Sequence, residues 1–338
     1  MIKLFKILFF NSMMIGTFIA ISSYSWFATW IGLEINLLSL IPLLKNSSNK
    51  YPSEAALKYF IAQAMGSSLI IYAILIFYLT KDPLSQKMEL TEMIILSTAL
   101  LLKMGAAPFH FWLPEVMSGL NWTNIFIIMT WQKIAPIFIL SYQVEQYSLF
   151  FSIIIIISSM ISGLQGLNQT CMRKIMAYSS INHMGWMITT LLNSTIVCVV
   201  YFATYCFINM NIVLILKKYN IFNLSQLANI FNMKKKIKYL FMMNFMSLGG
   251  LPPFLGFLPK WLAINNMIEN KHYFLTVMLI IFTLISLYFY LRITFSSFTV
   301  YSEETLIILF NKINYFHFMA NLFSLLGLIA CSFLDSSL

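Results

Sequence analysis

Apolar stretches separated by short polar breaks recur along the whole chain. A helix needs about 20 apolar residues to cross a bilayer core. On that measure the pattern predicts spans over 3–22, 24–44, 54–80, 90–112, 121–143, 147–167, 171–192, 194–217, 238–268, 272–297 and 316–334, eleven in all. Stretches such as 152–161 and 277–285 lack the apolar–polar alternation of a membrane β-barrel strand, so the expected class is an all-α polytopic membrane protein. Only the connections 218–237 and 298–315 are long, which leaves one membrane domain, 1–338, and no aqueous domain.

Composition agrees with that reading. Of 338 residues 60% are hydrophobic and 9% charged, with a mean hydropathy of +0.82, values no water-soluble domain of this length shows. The net charge of +10 raises the possibility of nucleic-acid binding, but the basic residues lie mostly between apolar runs, where they report orientation. With the N-terminus on the insertion side, that side receives Lys3, Lys6, Lys45, Lys50, Arg173, Lys174, Lys217, Lys218, Lys234, Lys235, Lys236, Lys238, Arg292 and Lys312. The other side receives Lys81, Lys87 and Lys271. The run at 234–236 reads as a loop anchored to anionic headgroups. Cys171, Cys198, Cys206 and Cys331 show neither paired nor metal-ligand spacing, so no disulfide or metal is expected. The first apolar run follows Lys3 and Lys6 but lacks an Ala-x-Ala cleavage site, and is expected to stay as a span.

Two segments align without a gap: 105–114 (GAAPFHFWLP) in the fourth span and 250–259 (GLPPFLGFLP) in the ninth. They lie five spans apart, and an odd offset makes the second copy cross in the opposite direction, as in inverted-repeat transporters. The halves are expected at 1–143 and 147–298, with 316–334 as an added C-terminal helix. Pro108, Pro252 and Pro253 should interrupt their helices beside Gly105, Gly249 and Gly250, freeing carbonyls that can hold an ammonium or water. At 31 residues the ninth span would be about 46 Å long as one straight helix, so it must be broken or tilted.

Lys58, Lys103, Lys133 and Lys260 fall inside spans, as does Glu34. Each such charge costs on the order of 2.5–3.5 kcal/mol at a helix centre, which marks a conduction path or a partnered charge. For Lys103, Lys133 and Lys260 the competing reading is snorkelling to an interface, and for Glu34 a structural carboxyl. Glu54 and Lys58, four residues apart, read first as a local ion pair. His110 and His183 can relay protons near neutral pH or serve as buried packing groups. A proton-exchanging lysine must be poised between burial, which favours its neutral form, and a nearby carboxylate, which favours the charged one. Movement of such a carboxylate relative to the lysine would tip that balance. The expected order of the path is Lys103, Lys133, Lys260. There is no dinucleotide loop, Walker motif, haem-attachment motif or iron–sulfur spacing, so no cofactor is expected on this chain.

The motifs GLEIN (32–36), SEAALKYF (53–60), LLKMGAAPFHFW (101–112), WQKIAP (131–136), SSINHMGW (179–186) and SLGGLPPFLGFLPKW (247–261) resemble those of the antiporter-like membrane subunits of respiratory complex I. Within that family the likeness is to the mitochondrial, insect-like chain 2 branch; Lys260 stands where the chain 4 branch has glutamate. The resemblance implies two inverted five-helix bundles, three N-terminal helices fewer than the complete fold, and a place in the mitochondrial inner membrane. The N-terminus would face the matrix and the C-terminus the intermembrane space. It also implies proton transfer by Glu34, Lys103, Lys133 and Lys260. Partners would be chain 4, small membrane chains and phospholipids, including cardiolipin, with NADH, FMN, iron–sulfur clusters and ubiquinone held by other subunits. A stand-alone cation/proton antiporter and a structural scaffold are the alternatives.

Overall fold

The computed structural model describes residues 2–45, 50–80, 90–227, 235–252, 254–299 and 319. Helix occupies each of the first ten predicted spans, and the eleventh, 316–334, lies outside the described residues apart from residue 319. The helices are α1 (Ile2–Ser22), α2 (Trp26–Leu44), α3 (Tyr51–Thr80), α4 (Leu90–Met104), α5 (Trp112–Gly119), α6 (Trp122–Met129), α7 (Trp131–Ser141), α8 (Ser148–Leu167), α9 (Met172–Asn193), α10 (Thr195–Tyr219), α11 (Lys235–Gly249), α12 (Phe257–Glu269) and α13 (Tyr273–Thr299). Seven described segments are each long and apolar enough to cross a membrane. The fourth and ninth predicted spans, which are split into short pieces, and the more polar seventh are not among them. The chain divides inside α8 into two compact units, Met1–Ile154 and Ile155–Leu338.

In the first unit, α1 and α2 make the closest helix contact through small residues. A Cβ on Gly32 would lie 2.5 Å from the Ala20 nitrogen and 2.8 Å from the Gly16 oxygen, and one on Gly16 would lie 2.9 Å from the Asn36 nitrogen. Gly16 and Ala20 on one helix thus face Gly32 and Asn36 on the other, each pair one turn apart, the small-residue spacing that lets membrane helices approach. Gly32→Leu is expected to force the pair apart, at a cost of about 1–3 kcal/mol, and to reduce the yield of folded, detergent-extracted protein severalfold. Leu38→Ala, on the exposed face of α2, should leave that yield unchanged; equal yields for the two variants would remove α1–α2 packing from the account.

In the second unit α9 is the enclosed helix: every residue from 175 to 191 is buried. Its hydroxyls Ser179, Ser180, Thr189 and Thr190 donate to carbonyls one turn back. Asn182 Nδ2 donates to Ser286 Oγ on α13 at 2.9 Å. A helix wrapped in protein can carry polar residues that a lipid-facing one cannot, which explains why this span is the least apolar by sequence. Arg292 of α13 donates to the carbonyls of Leu167 and Gln169, pinning the α8–α9 connection. Next to it residues 170–172 pair with 222–224, Met172 N–H reaching the Phe222 carbonyl at 2.8 Å and Leu224 N–H the Thr170 carbonyl at 3.1 Å.

Candidate functional site: two broken helices and their lysines

The aligned segments break their helices at matching positions. α4 ends at Met104 and α5 starts at Trp112; α11 ends at Gly249 and α12 starts at Phe257. Each gap opens on a glycine at positive φ, +73° at Gly105 and +77° at Gly250. Gly105 N–H bonds the Leu102 carbonyl and Ala106 N–H the Leu101 carbonyl; Gly250 N–H bonds Ser247 and Leu251 N–H bonds Met246. This is the same Schellman closure twice. The prolines were expected to make the breaks, but the helix ends four residues before Pro108 and before Pro252 is reached. Glycine ends the helix by taking the left-handed conformation without strain, and proline then prevents it from resuming. Pro253 lies outside the described residues.

Lys103 sits in the last turn of α4, 5% exposed. The helix dipole favours a cation there. Its side chain passes over Gly66 of α3, where a Cβ would come within 3.1 Å of the Lys103 Cγ. Glu34, half-buried on α2, acts electrostatically on Lys103, but the two form no ion pair within 4 Å. His110, fully buried in the gap, directs Nδ1 at the Pro108 carbonyl at 3.2 Å, a contact in which the ring nitrogen carries the proton. Lys133 is 1% exposed. It follows an unforeseen interruption: the fifth span divides at Thr130 into α6 and α7, with Lys133 N–H bonded to the Thr130 carbonyl at 3.2 Å. Pro136, inside α7, has no N–H to offer the Gln132 carbonyl and crowds it, which places the distortion one turn upstream, beside Lys133.

Lys260 lies in the first turn of α12, 8% exposed. The dipole there disfavours a cation, and the break supplies the remedy: Lys260 Nζ donates to the Gly249 carbonyl at the end of α11 at 2.7 Å. It also lies 5.9 Å from the ring centre of Trp186 on α9. A Cβ at Gly250 would meet the Lys260 Cδ at 2.6 Å and Nζ at 2.9 Å, so Gly250 both closes α11 and makes room for the lysine. His183, one turn before Trp186, has Nδ1 2.9 Å from the Tyr201 hydroxyl. Glu54 and Lys58 pair at 3.1 Å as the sequence suggested, and Lys58 also pairs with Glu115 of α5 at 3.1 Å; all three side chains are exposed.

A family model for the membrane region of NADH:quinone oxidoreductase and Mrp antiporter subunits matches residues 23–286. The chain belongs to that family. As a family member it is 47% identical over 314 residues to NADH-ubiquinone oxidoreductase chain 2 of Anopheles gambiae, covering 92% of this chain and 91% of the relative. With the Locusta migratoria protein of the same name the identity is 44% over 299 residues, covering 88% and 87%. Its antiporter-like fold also matches a chain of respiratory complex I from Thermus thermophilus at a TM-score of 0.84 and 24% identity, over 96% of this chain and 78% of that one. A chain of the Mrp complex from a Dietzia species matches at 0.74 and 16% identity, over 83% and 58%.

Several polar residues of this family member were not foreseen. Glu92, in the first turn of α4, is fully buried. Gln63 Nε2 donates to the Lys103 carbonyl at 3.1 Å. Trp112 Nε1 donates to the Leu102 carbonyl at 3.0 Å. Neutral amides and indoles carry no insertion penalty large enough to single them out in a sequence.

Proposed function

We propose that this chain is a core membrane-arm subunit of respiratory complex I in the mitochondrial inner membrane, conducting protons driven by electron transfer from NADH to ubiquinone in partner subunits. The observation that carries this reading is the buried Lys260 ammonium held on a carbonyl that a broken helix sets free, in a chain whose curated relatives are chain 2 proteins of NADH-ubiquinone oxidoreductase. Protons would be exchanged on Glu34, Lys103, Lys133 and His110 in the first unit and on Lys260 and His183 in the second, with water completing the steps. Moving one charge against the membrane potential costs about 2.3 kcal/mol per 100 mV, which the redox partners supply. In this reading FMN, iron–sulfur clusters and the quinone are held by those partners, and chain 4, small membrane chains and phospholipids such as cardiolipin border this subunit. The basic loops face the matrix, so the N-terminus lies in the matrix and the C-terminus in the intermembrane space. Glu54 and Lys58 serve as an accessory ion pair with Glu115.

Gentle solubilisation of the native membrane tests this assignment against the stand-alone antiporter. The chain should migrate with a flavin- and iron–sulfur-containing assembly that oxidises NADH, and the isolated chain in liposomes should exchange no cations for protons. Recovery of the chain apart from any such assembly, together with cation/proton exchange by the chain alone, would overturn it.

A further inference from the structure

Glu34, Lys103 and Lys133 stand on three different helices of the first unit, and a chain of neutral side chains, buried at Tyr59, Asn36 and Gln63 and half-buried at Gln132, joins those helices. Tyr59 of α3, 2% exposed, donates its hydroxyl to Gln132 Oε1 on α7 at 3.2 Å. Gln132 Nε2 donates to Asn36 Oδ1 on α2 at 2.9 Å, with Asn36 3% exposed. One turn along α3 from Tyr59, Gln63 donates to the backbone carbonyl of Lys103. The Tyr59 ring meets Trp112 edge-on at 5.9 Å, and Trp112 holds the Leu102 carbonyl at the same break.

Gln132 precedes Lys133, Asn36 lies two residues after Glu34, and Gln63 and Trp112 grip the backbone at Lys103. Residues one or two apart on a helix do not share a face, so the bonds of Gln132 and Asn36 act on Lys133 and Glu34 through the helix, fixing the rotation and height of the backbone that carries them. In a low-dielectric interior each such bond is stronger than in water, and a lone survivor is costly. We propose that Tyr59, Gln63, Gln132 and Asn36 form a positioning lattice, with α3 as its hub, that sets Glu34, Lys103 and Lys133 relative to one another for proton transfer. This rests on the proton-conducting role proposed above.

The test uses the assembled complex with Gln132→Leu, Tyr59→Phe, both together, and Lys133→Ala as reference. Gln132→Leu should lower NADH:ubiquinone turnover at saturating quinone about tenfold, and Tyr59→Phe about threefold. The KM for quinone and NADH oxidation by a hydrophilic artificial acceptor should stay unchanged per assembled complex. Because Tyr59 acts through Gln132, the double variant should be no slower than Gln132→Leu alone. Full turnover in Gln132→Leu, a raised KM in place of a lowered turnover, or effects that multiply in the double variant would overturn the lattice. If Gln132→Leu does not assemble, Tyr59→Phe, which loses one hydroxyl, decides: full turnover there overturns it as well. Loss of turnover in Lys133→Ala beside a fully active Gln132→Leu rejects the lattice alone, whereas a fully active Lys133→Ala rejects the proton path on which it rests.

Discussion

In the assembled complex, Lys103→Ala is expected to lower NADH:ubiquinone turnover and proton translocation together, by about tenfold or more, while NADH oxidation by a hydrophilic artificial acceptor stays near its native rate. A positioned acid–base group contributes roughly 10²–10⁴ in rate, and water entering the space left by the side chain recovers only part of that. The site is specific: Lys103 is buried in the last turn of α4 over Gly66, and forms no ion pair with Glu34 within 4 Å. Lys103→Met fills the same space without a proton and should behave like the alanine variant, which separates loss of the amine from loss of packing. Charge compensation should appear in assembly and not in pumping. Glu34→Gln or Lys103→Met alone leaves an unbalanced charge, and the pair together should restore assembly towards the native level. Native pumping by an assembled Lys103→Met complex would remove this lysine from the path.

The second large effect is expected at the ninth span. Lys260→Met removes the donor that holds the Gly249 carbonyl and should lower coupled turnover by about tenfold or more. Gly250→Val should reproduce that loss although it changes no titratable group. Its Cβ would occupy the space of the Lys260 Cδ and Nζ, and valine at φ +77° is strained. A control that adds a Cβ without a clash is Gly163→Ala in α8, where it would meet its nearest neighbours at 3.4–3.6 Å, ordinary contact distance; its turnover should match the native complex. A Gly250→Val complex that assembles and turns over normally would show that the close fit of glycine and lysine has no part in conduction.

Much of this arrangement is legible in the sequence because the bilayer makes exceptions costly. Ten apolar intervals could be placed, and the burial of Lys103, Lys133 and Lys260 follows from charges found where charges are rare. The repeat itself is less transparent than its letters. Gly105 and Gly250 align and have the same conformation, yet the aligned partner of Lys260 is Glu115, which is exposed and paired with Lys58. The two lysines therefore stand on opposite sides of their breaks, Lys103 before Gly105 and Lys260 after Gly250. The breaks were assigned to proline because proline is the familiar helix breaker, whereas the chain uses glycine to stop and proline to keep it stopped. The interruption at Thr130 was hidden because no glycine or proline stands at it. The Tyr59–Gln132–Asn36 bonds join residues 73 and 96 positions apart, and no periodicity or local motif announces such pairs.

The central claim is that this chain conducts protons and is more than a scaffold for neighbours that do. It is tested most directly by the rates of proton translocation and of NADH:ubiquinone turnover, measured together in proteoliposomes holding complexes with native Lys133 or Lys133→Ala at matched content. Lys133 is almost fully enclosed, beside a helix interruption inside the first unit, so its replacement should stop most proton translocation together with quinone-linked turnover. An assembled Lys133→Ala complex that translocates the native number of protons at the native rate would contradict the claim and leave the chain a structural part of the membrane arm.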